Sequence, residues 1–82
     1  MEIYTMQQWM QDRDLKVQVG QIIAWNVFYQ LLGAVPPRYF RNGMFQVGEP
    51  YSHDWNTGQA LYKTFKLETN GYKYVGLMVG QD

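Results

Sequence analysis

The fold is decided by residues 64–76, which read TFKLETNGYKYVG. Two runs rich in β-favouring residues stand on either side of Asn70-Gly71. Asn-Gly between such runs is the strongest short-range signal for a β-hairpin, because a type I′ turn requires positive φ at both central residues. The sequence therefore predicts that the last third of the chain is a hairpin that turns at Asn70 and Gly71.

Pairing outward from that turn predicts the register of the hairpin. Glu68 would lie opposite Lys73, which brings opposite charges together, and Phe65 would lie opposite Gly76, whose bare backbone a ring can cover. This register predicts an apolar face that holds Phe65, Leu67, Tyr74 and Met78. It also predicts a mixed face that holds Tyr62, Thr64, Lys66, Glu68, Lys73, Val75, Leu77 and Val79.

A short helix is predicted near the N-terminus. Thr5 and Gln8 fit a capping box, in which each residue satisfies a free backbone amide of the first helical turn. The helix would begin after Thr5 and run through Arg13, with one face formed by Met6, Trp9, Met10 and Arg13.

A second, longer helix is predicted from Leu15 to about Leu32, with Asp14 as its N-cap. Its apolar residues surround most of the helix, which is typical of an element in the core, and Trp25 is expected to be buried there. Gly33 fits the residue that follows a helix end, and Pro36-Pro37 prevents continuation.

Residues 34–42 and 51–58 are predicted to be loops. Asn42-Gly43 marks a turn, and Met44-Phe45-Gln46-Val47 indicates a short strand. The sequence thus predicts one α+β domain over residues 1–82, in which two N-terminal helices (short, then long) precede a three-stranded antiparallel sheet that ends in a β-hairpin.

Composition limits the functional classes. The 82 residues contain no cysteine, seven basic and seven acidic residues, and so carry no formal net charge. A neutral chain disfavours nucleic acid as a partner, since that affinity comes mainly from phosphate neutralisation, and it favours homo-oligomers. The absence of a basic leader or a long apolar run predicts a soluble, cytoplasmic protein with no membrane partner.

Six residues around the prolines form the candidate surface for a partner or ligand, because arginine and large aromatic residues are enriched at interfaces. They are Arg38, Tyr39, Arg41, Tyr51, His53 and Trp55. The alternative for the first three is a loop with solvated arginines and buried rings. The alternative for Trp55 is a lid over the hairpin.

No catalytic, metal or cofactor site is predicted. Ser52-His53-Asp54 has the residue types of a hydrolase triad, but consecutive side chains diverge, whereas a triad converges from separate segments. Glu49, His53 and Asp54 are a minimal metal set without supporting spacing, and turn roles for His53 and Asp54 are favoured. The glycines lie in no strand–turn–helix context that would cradle phosphate.

These observations predict a non-catalytic protein-interaction module whose partner is unidentified. Its size is typical of accessory or inhibitor proteins of phages and mobile elements that act on a host protein. One alternative is a nucleotide-like ligand held between subunits by Arg38, Arg41 and tyrosines. Another is a weak nucleic-acid binder, although the predicted second helix offers only Lys16 as a cation for a DNA groove.

Overall fold

A computed structural model describes residues 3–12 and 15–81. Within these ranges the chain forms two helices and a seven-stranded mixed sheet. The helices are α1 (Met6–Asp12) and α2 (Trp25–Ala34). The strands are β1 (Ile3–Tyr4), β2 (Ile22–Ile23), β3 (Tyr39–Arg41), β4 (Met44–Gln46), β5 (Ser52–His53), β6 (Ala60–Glu68) and β7 (Gly71–Val79). The α+β class fits this structure, but the predicted three-stranded sheet is wrong.

The sheet has the strand order β1-β2-β7-β6-β4-β3, and β5 pairs with β6 beside this path. β1 and β2 pair in parallel, whereas the other pairs are antiparallel. Helix α2 lies on one face, called here the inner face. Buried side chains from that face and from the helix form a single core, which contains Tyr4, Leu15, Ile23, Val27, Phe28, Leu31, Phe45, Phe65, Tyr72 and Tyr74.

The predicted long helix is wrong in its first half. Residues 15–24 are not helical, and α2 begins only at Trp25. Gly20 has a φ of +94°, and its amide donates to the Tyr74 carbonyl (2.8 Å), while the Tyr74 amide donates to the Gln21 carbonyl (2.9 Å). This segment runs along β7 and buries Leu15 and Ile23 in the same core, while Val19 is 71% exposed. The spacing of its apolar residues resembles a helical pattern although the segment is not helical.

The other end of α2 also differs from the prediction. Gly33 lies inside the helix, which continues to Ala34 before Val35 donates its amide to the Leu31 carbonyl (2.8 Å). Pro36-Pro37 follows at once, and proline cannot continue a helix because it lacks an amide hydrogen. The prolines therefore mark the end of α2 better than the glycine does.

The capping box of α1 is confirmed. The Thr5 amide donates to Gln8 Oε1 (2.9 Å), and the Gln8 amide donates to Thr5 Oγ1 (3.4 Å). α1 reaches Asp12, and its predicted end at Arg13, like the cap at Asp14, lies outside the described residues. Neither of the two helices in the described ranges is long and apolar enough to cross a membrane.

Two short strands lie in the predicted loops, namely β3 within 34–42 and β5 within 51–58. Asn42 and Gly43 join β3 to β4 with φ values of +55° and +74°, as a type I′ turn requires. The hairpin at the end of the chain turns differently. Glu68 pairs with Gly71 there, so the connecting residues are Thr69 and Asn70 rather than Asn70 and Gly71.

Contact with β2 explains this shift of register. A Cβ atom on Gly71 would lie 2.0 Å from the Ile23 carbonyl oxygen, so Gly71 is needed where two backbones approach, inside strand β7. The predicted partners are consequently wrong. Lys73 lies opposite Lys66 rather than Glu68, and Phe65 lies opposite Tyr74 rather than Gly76.

A β-bulge corrects the predicted faces. The pairing changes register between Thr64 and Phe65, because Thr64 pairs with Gly76 and Phe65 with Tyr74. Val75 is the additional residue, and it reverses the alternation of the residues beyond it. Phe65, Leu67 and Tyr74 therefore share the inner face as predicted, but Met78 moves to the opposite face. The residues that move to the inner face are Leu77 and Val79.

Candidate binding surfaces

The outer face of the sheet, opposite α2, carries mostly polar side chains. Strand alternation and the pairing register place on it Tyr39, Arg41, Met44, Gln46, Tyr62, Thr64, Lys66 and Lys73. Arg41 and Lys66 are exposed, whereas Lys73 is half-buried. This face is where three of the predicted site residues come together.

Those three residues are Arg38, Tyr39 and Arg41. The Arg41 guanidinium lies 5.6 Å from the centre of the Tyr39 ring, and the Arg38 guanidinium lies 5.0 Å from the centre of the Tyr62 ring. Both distances fall within the range in which a cation is attracted to the face of an aromatic ring. The segment is thus a strand edge with two positioned guanidinium groups, and not a loop with free arginines.

Lys66 and Lys73 lie directly opposite each other on the outer face. Arg41 belongs to the same row across the sheet, because it pairs with Met44, which in turn pairs with Lys66. Like charges opposite each other destabilise a strand pair, whereas the predicted Glu68–Lys73 pair would have stabilised it. The register shift therefore exchanges a neutral pair for a cationic row.

A buried polar group fixes one end of the outer face. Gln46 and Thr64 are fully buried, and Gln46 Nε2 donates to Thr64 Oγ1 (3.0 Å) and to the Val79 carbonyl (3.1 Å). Gln46 Oε1 accepts from the Gln81 amide (2.8 Å), so the chain after β7 folds back over this face. Buried networks in which every polar group has a hydrogen-bond partner are rigid. No feature of the sequence indicates the network around Gln46.

The other predicted site residues lie elsewhere. Tyr51 contacts Lys63, whose Nζ lies 4.3 Å from the ring centre. Lys63 is buried on the inner face and donates a hydrogen bond to the Leu15 carbonyl. The structure therefore separates Tyr51 from the arginines by the thickness of the sheet.

His53 is the last residue of β5 and is exposed, so its predicted turn role is wrong, whereas Trp55 lies in the turn that follows β5. Asp54 accepts hydrogen bonds at Oδ1 from the Asn56 amide (2.8 Å), and its carbonyl accepts from the Gly58 amide (2.7 Å), so its turn role is confirmed. Trp55 is 90% exposed, and the alternative of a lid over the hairpin is wrong. Within the described residues no three His, Asp or Glu side chains are placed to hold a metal ion.

Sequence reasoning missed an exposed apolar surface, which we call the aromatic patch. It consists of Trp25, Tyr29, Phe40 and Leu67, whose exposed fractions are 37%, 65%, 51% and 46%. The prediction that Trp25 is buried is wrong, since it lies at the first position of α2 with part of its ring in solvent. Residues 34–42 are predicted to be irregular from the sequence, so no local pattern places Phe40 beside α2, where β3 puts it.

Buried rings support the patch from below. Trp25 and Tyr29 stack with their centroids 6.5 Å apart, and Phe28 lies between Tyr29 (5.5 Å) and Phe40 (5.8 Å). Trp25 also packs edge-on against Tyr72 (5.8 Å). The exposed rings are therefore positioned by the core, and their side chains lose little further freedom when a partner binds.

A cavity of about 300 Å³ opens on the inner side, away from the patch. Its walls come from α1, α2 and the segment after β4, and include Trp9, Leu31, Val47 and Tyr51. Lys63 lines it, and Lys16 and Glu49 also contribute exposed charges. This volume is at the lower end of the range for small-molecule sites.

The pKa values of Tyr72, Tyr74 and Asp12 differ from the usual values of these side chains. Burial, and then the nearby Tyr29, raise the pKa of Tyr72, while burial and then Tyr51 raise the pKa of Tyr74. Desolvation alone would raise the pKa of Asp12, but other interactions outweigh it and lower that pKa. These are hydrogen bonds from the Lys16 amide (2.9 Å) and the Tyr4 hydroxyl (3.0 Å), and the charges of Lys16 and Lys63.

Comparisons of the chain with protein families, with curated proteins and with solved structures find no significant match.

Proposed function

We propose that this domain is a non-catalytic protein-interaction module that binds its partner through the aromatic patch. The observation that carries the proposal is the exposure of four large apolar side chains on one surface, Trp25, Tyr29, Phe40 and Leu67. Contiguous exposed apolar surface is uncommon on soluble monomers and marks sites of interaction. Tryptophan and tyrosine are also the residues that most often dominate binding energy at interfaces.

The position of the patch supports this proposal. Phe40 belongs to β3, which is the last strand in the order of the sheet. Tyr39 and Arg41, on either side of it in sequence, project to the outer face. A partner seated on the patch would therefore meet apolar rings first and the Arg41 guanidinium at the rim, an arrangement typical of protein interfaces.

The experiment is affinity capture from a lysate of the source cell or of its host, with partners quantified by mass spectrometry. The test variant is Tyr29→Ser/Phe40→Ser, which removes the two most exposed rings of the patch. Val19→Ser is the matched control, because Val19 is 71% exposed but is not part of the patch. We expect a stoichiometric partner with the unmodified protein and the control, and at least a tenfold loss with the double variant, a cost of about 1.4 kcal/mol.

A partner captured equally by the double variant would refute the assignment of this surface. Thermal unfolding of both variants identifies any loss that is caused by misfolding. Trp55, which is almost fully exposed, is proposed as a second anchor, and Trp55→Ala belongs in the same assay. We also propose that the domain is a phage or mobile-element protein that inhibits a host protein. The identity of the captured partner tests this proposal.

The cavity beside Lys63 favours a second candidate function, the binding of a small ligand. Its apolar walls combined with a few polar groups are the general composition of ligand sites. Native mass spectrometry of freshly purified protein should then show a bound mass. Val47→Phe, which would fill the cavity, should remove that mass without loss of the fold, and an unliganded spectrum would argue against this candidate.

A further inference from the structure

Positive charge is concentrated on the outer face of the sheet. Four of the seven basic residues of the chain lie there, namely Arg38, Arg41, Lys66 and Lys73. Among the acidic residues that the structure describes, only Glu68 shares a strand face with them. The chain has no formal net charge, and on that ground the sequence disfavours nucleic acid as a partner. The structure nevertheless collects the positive charge on one face of the molecule.

The cations form a row with a defined spacing. Lys66 and Lys73 occupy adjacent strands, about 4.8 Å apart, and Arg41 lies two strands beyond Lys66. The row from Arg41 to Lys73 is therefore about 14 Å long. Its like charges repel one another, and a bound polyanion would remove that repulsion.

Aromatic rings lie beside this row. Tyr39 precedes Arg41 on the same strand face, and Tyr62 lies on the outer face under the Arg38 guanidinium. Nucleotide bases stack on aromatic rings and on guanidinium planes, whereas an acidic peptide needs only the charges. The combination favours nucleic acid over an acidic protein segment.

The shape of the face favours a single strand. Six strands at about 4.8 Å each are far wider than the major groove of DNA, which is about 12 Å wide. A flexible single strand can instead lie across the exposed part of this face, beside the segment that folds back after β7, with its bases turned toward the rings.

We propose that the outer face binds single-stranded nucleic acid, with phosphates along Arg41, Lys66 and Lys73 and with bases against Tyr39, Tyr62 and their arginines. This surface is distinct from the aromatic patch, so the inference does not depend on the proposed protein partner. Three phosphate contacts would give a slope of about −2.1 in log K against log salt. Affinity should then fall about 20-fold between about 50 mM and about 200 mM salt.

The experiment measures fluorescence anisotropy of a labelled oligothymidine of about 12 nucleotides, a length within the usual site size, over that salt range. Lys66→Gln/Lys73→Gln should reduce the salt slope by about 1.4, while Lys66→Arg/Lys73→Arg should keep it. Lys16→Gln is the control for a lost exposed charge elsewhere, and it should leave the slope unchanged. Tyr39→Ala should weaken binding at every salt concentration without changing the slope.

Three results would overturn the proposal. The first is that oligothymidine does not bind at the lowest salt concentration, and the second is that Lys16→Gln and the paired glutamine variant lose the same affinity for it. The third is that a polyglutamate peptide binds in place of the oligonucleotide. The arginine variant keeps the test decisive if the glutamine variant fails to fold, because it retains both positive charges.

Discussion

The ring of Phe28 on α2 stacks on the ring of Tyr72 on β7, with centroids 4.4 Å apart and an interplanar angle of 24°. Both side chains are buried, and Phe28 also makes edge contacts with Phe40 and Phe45. This stack joins the helix to the middle of the sheet, so the same contact holds the core together and supports the rings of the aromatic patch.

Phe28→Ala should lower the free energy of unfolding by about 3–5 kcal/mol, since it removes a buried ring and leaves a cavity. Tyr29→Ala, at the next position of the helix, is the control and should cost much less, because that side chain is 65% exposed. Urea denaturation followed by circular dichroism measures both. Equal costs for the two variants would contradict the central place of the stack.

Gly71→Ala should destabilise the domain by more than about 2 kcal/mol, because the added Cβ would meet the Ile23 carbonyl and the residue keeps a φ of +150°. Gly33→Ala makes the same chemical change inside α2, where no atom lies within 4 Å of the added Cβ. That variant should stabilise the domain by about 0.5–1 kcal/mol. Thermal unfolding compares the two, and a neutral Gly71→Ala would show that β2 does not approach β7 so closely.

Lys66→Glu should raise stability by about 0.2–1 kcal/mol, since it places a carboxylate opposite Lys73 in place of a second ammonium. The gain should shrink as NaCl is raised from about 0.05 M to about 1 M, because salt screens exposed charges. Melting temperatures over this series test the register. A loss of stability would indicate that Glu68, and not Lys66, faces Lys73.

Acid should destabilise the domain partly through Asp12. Its pKa is lower in the folded chain than in the unfolded chain, so its contribution is fully present above the unfolded value and is lost as the pH falls through the folded value. Asp12→Asn should therefore reduce stability near neutral pH and flatten the loss between about pH 5 and about pH 2. Thermal melts across this range measure both effects. Identical pH profiles would show that the hydrogen bonds from Lys16 and Tyr4 do not favour the carboxylate.

The elements that local signals specify were predicted well. The capping box at Thr5, the turn at Asn42-Gly43, the strand at Met44 and the final hairpin all depend on residues within a few positions of one another. Each has a local cause that a sequence displays directly, such as a side chain that accepts an amide or a glycine that permits positive φ.

Contacts between distant segments account for the errors. The hairpin register depends on Ile23, whose backbone requires Gly71 inside the strand, and residues 20–23 form strand contacts only because β7 lies beside them. The site was affected in the same way. Arg38, Tyr39 and Arg41 were identified as a group, but the aromatic patch and the lysine pair arise from pairing that no local pattern displays.

The pairing of β2 with β7 has a consequence for synthesis of the chain. Ile22 and Ile23 obtain their antiparallel partners from Tyr72 and Lys73, and β1 in turn is ordered against β2. Ile22 and Ile23 thus obtain these hydrogen-bond partners only from residues that the ribosome adds much later. The domain therefore cannot complete its sheet before β7 has been synthesised, and a nascent chain that stops before β7 would leave β2 without its antiparallel partner.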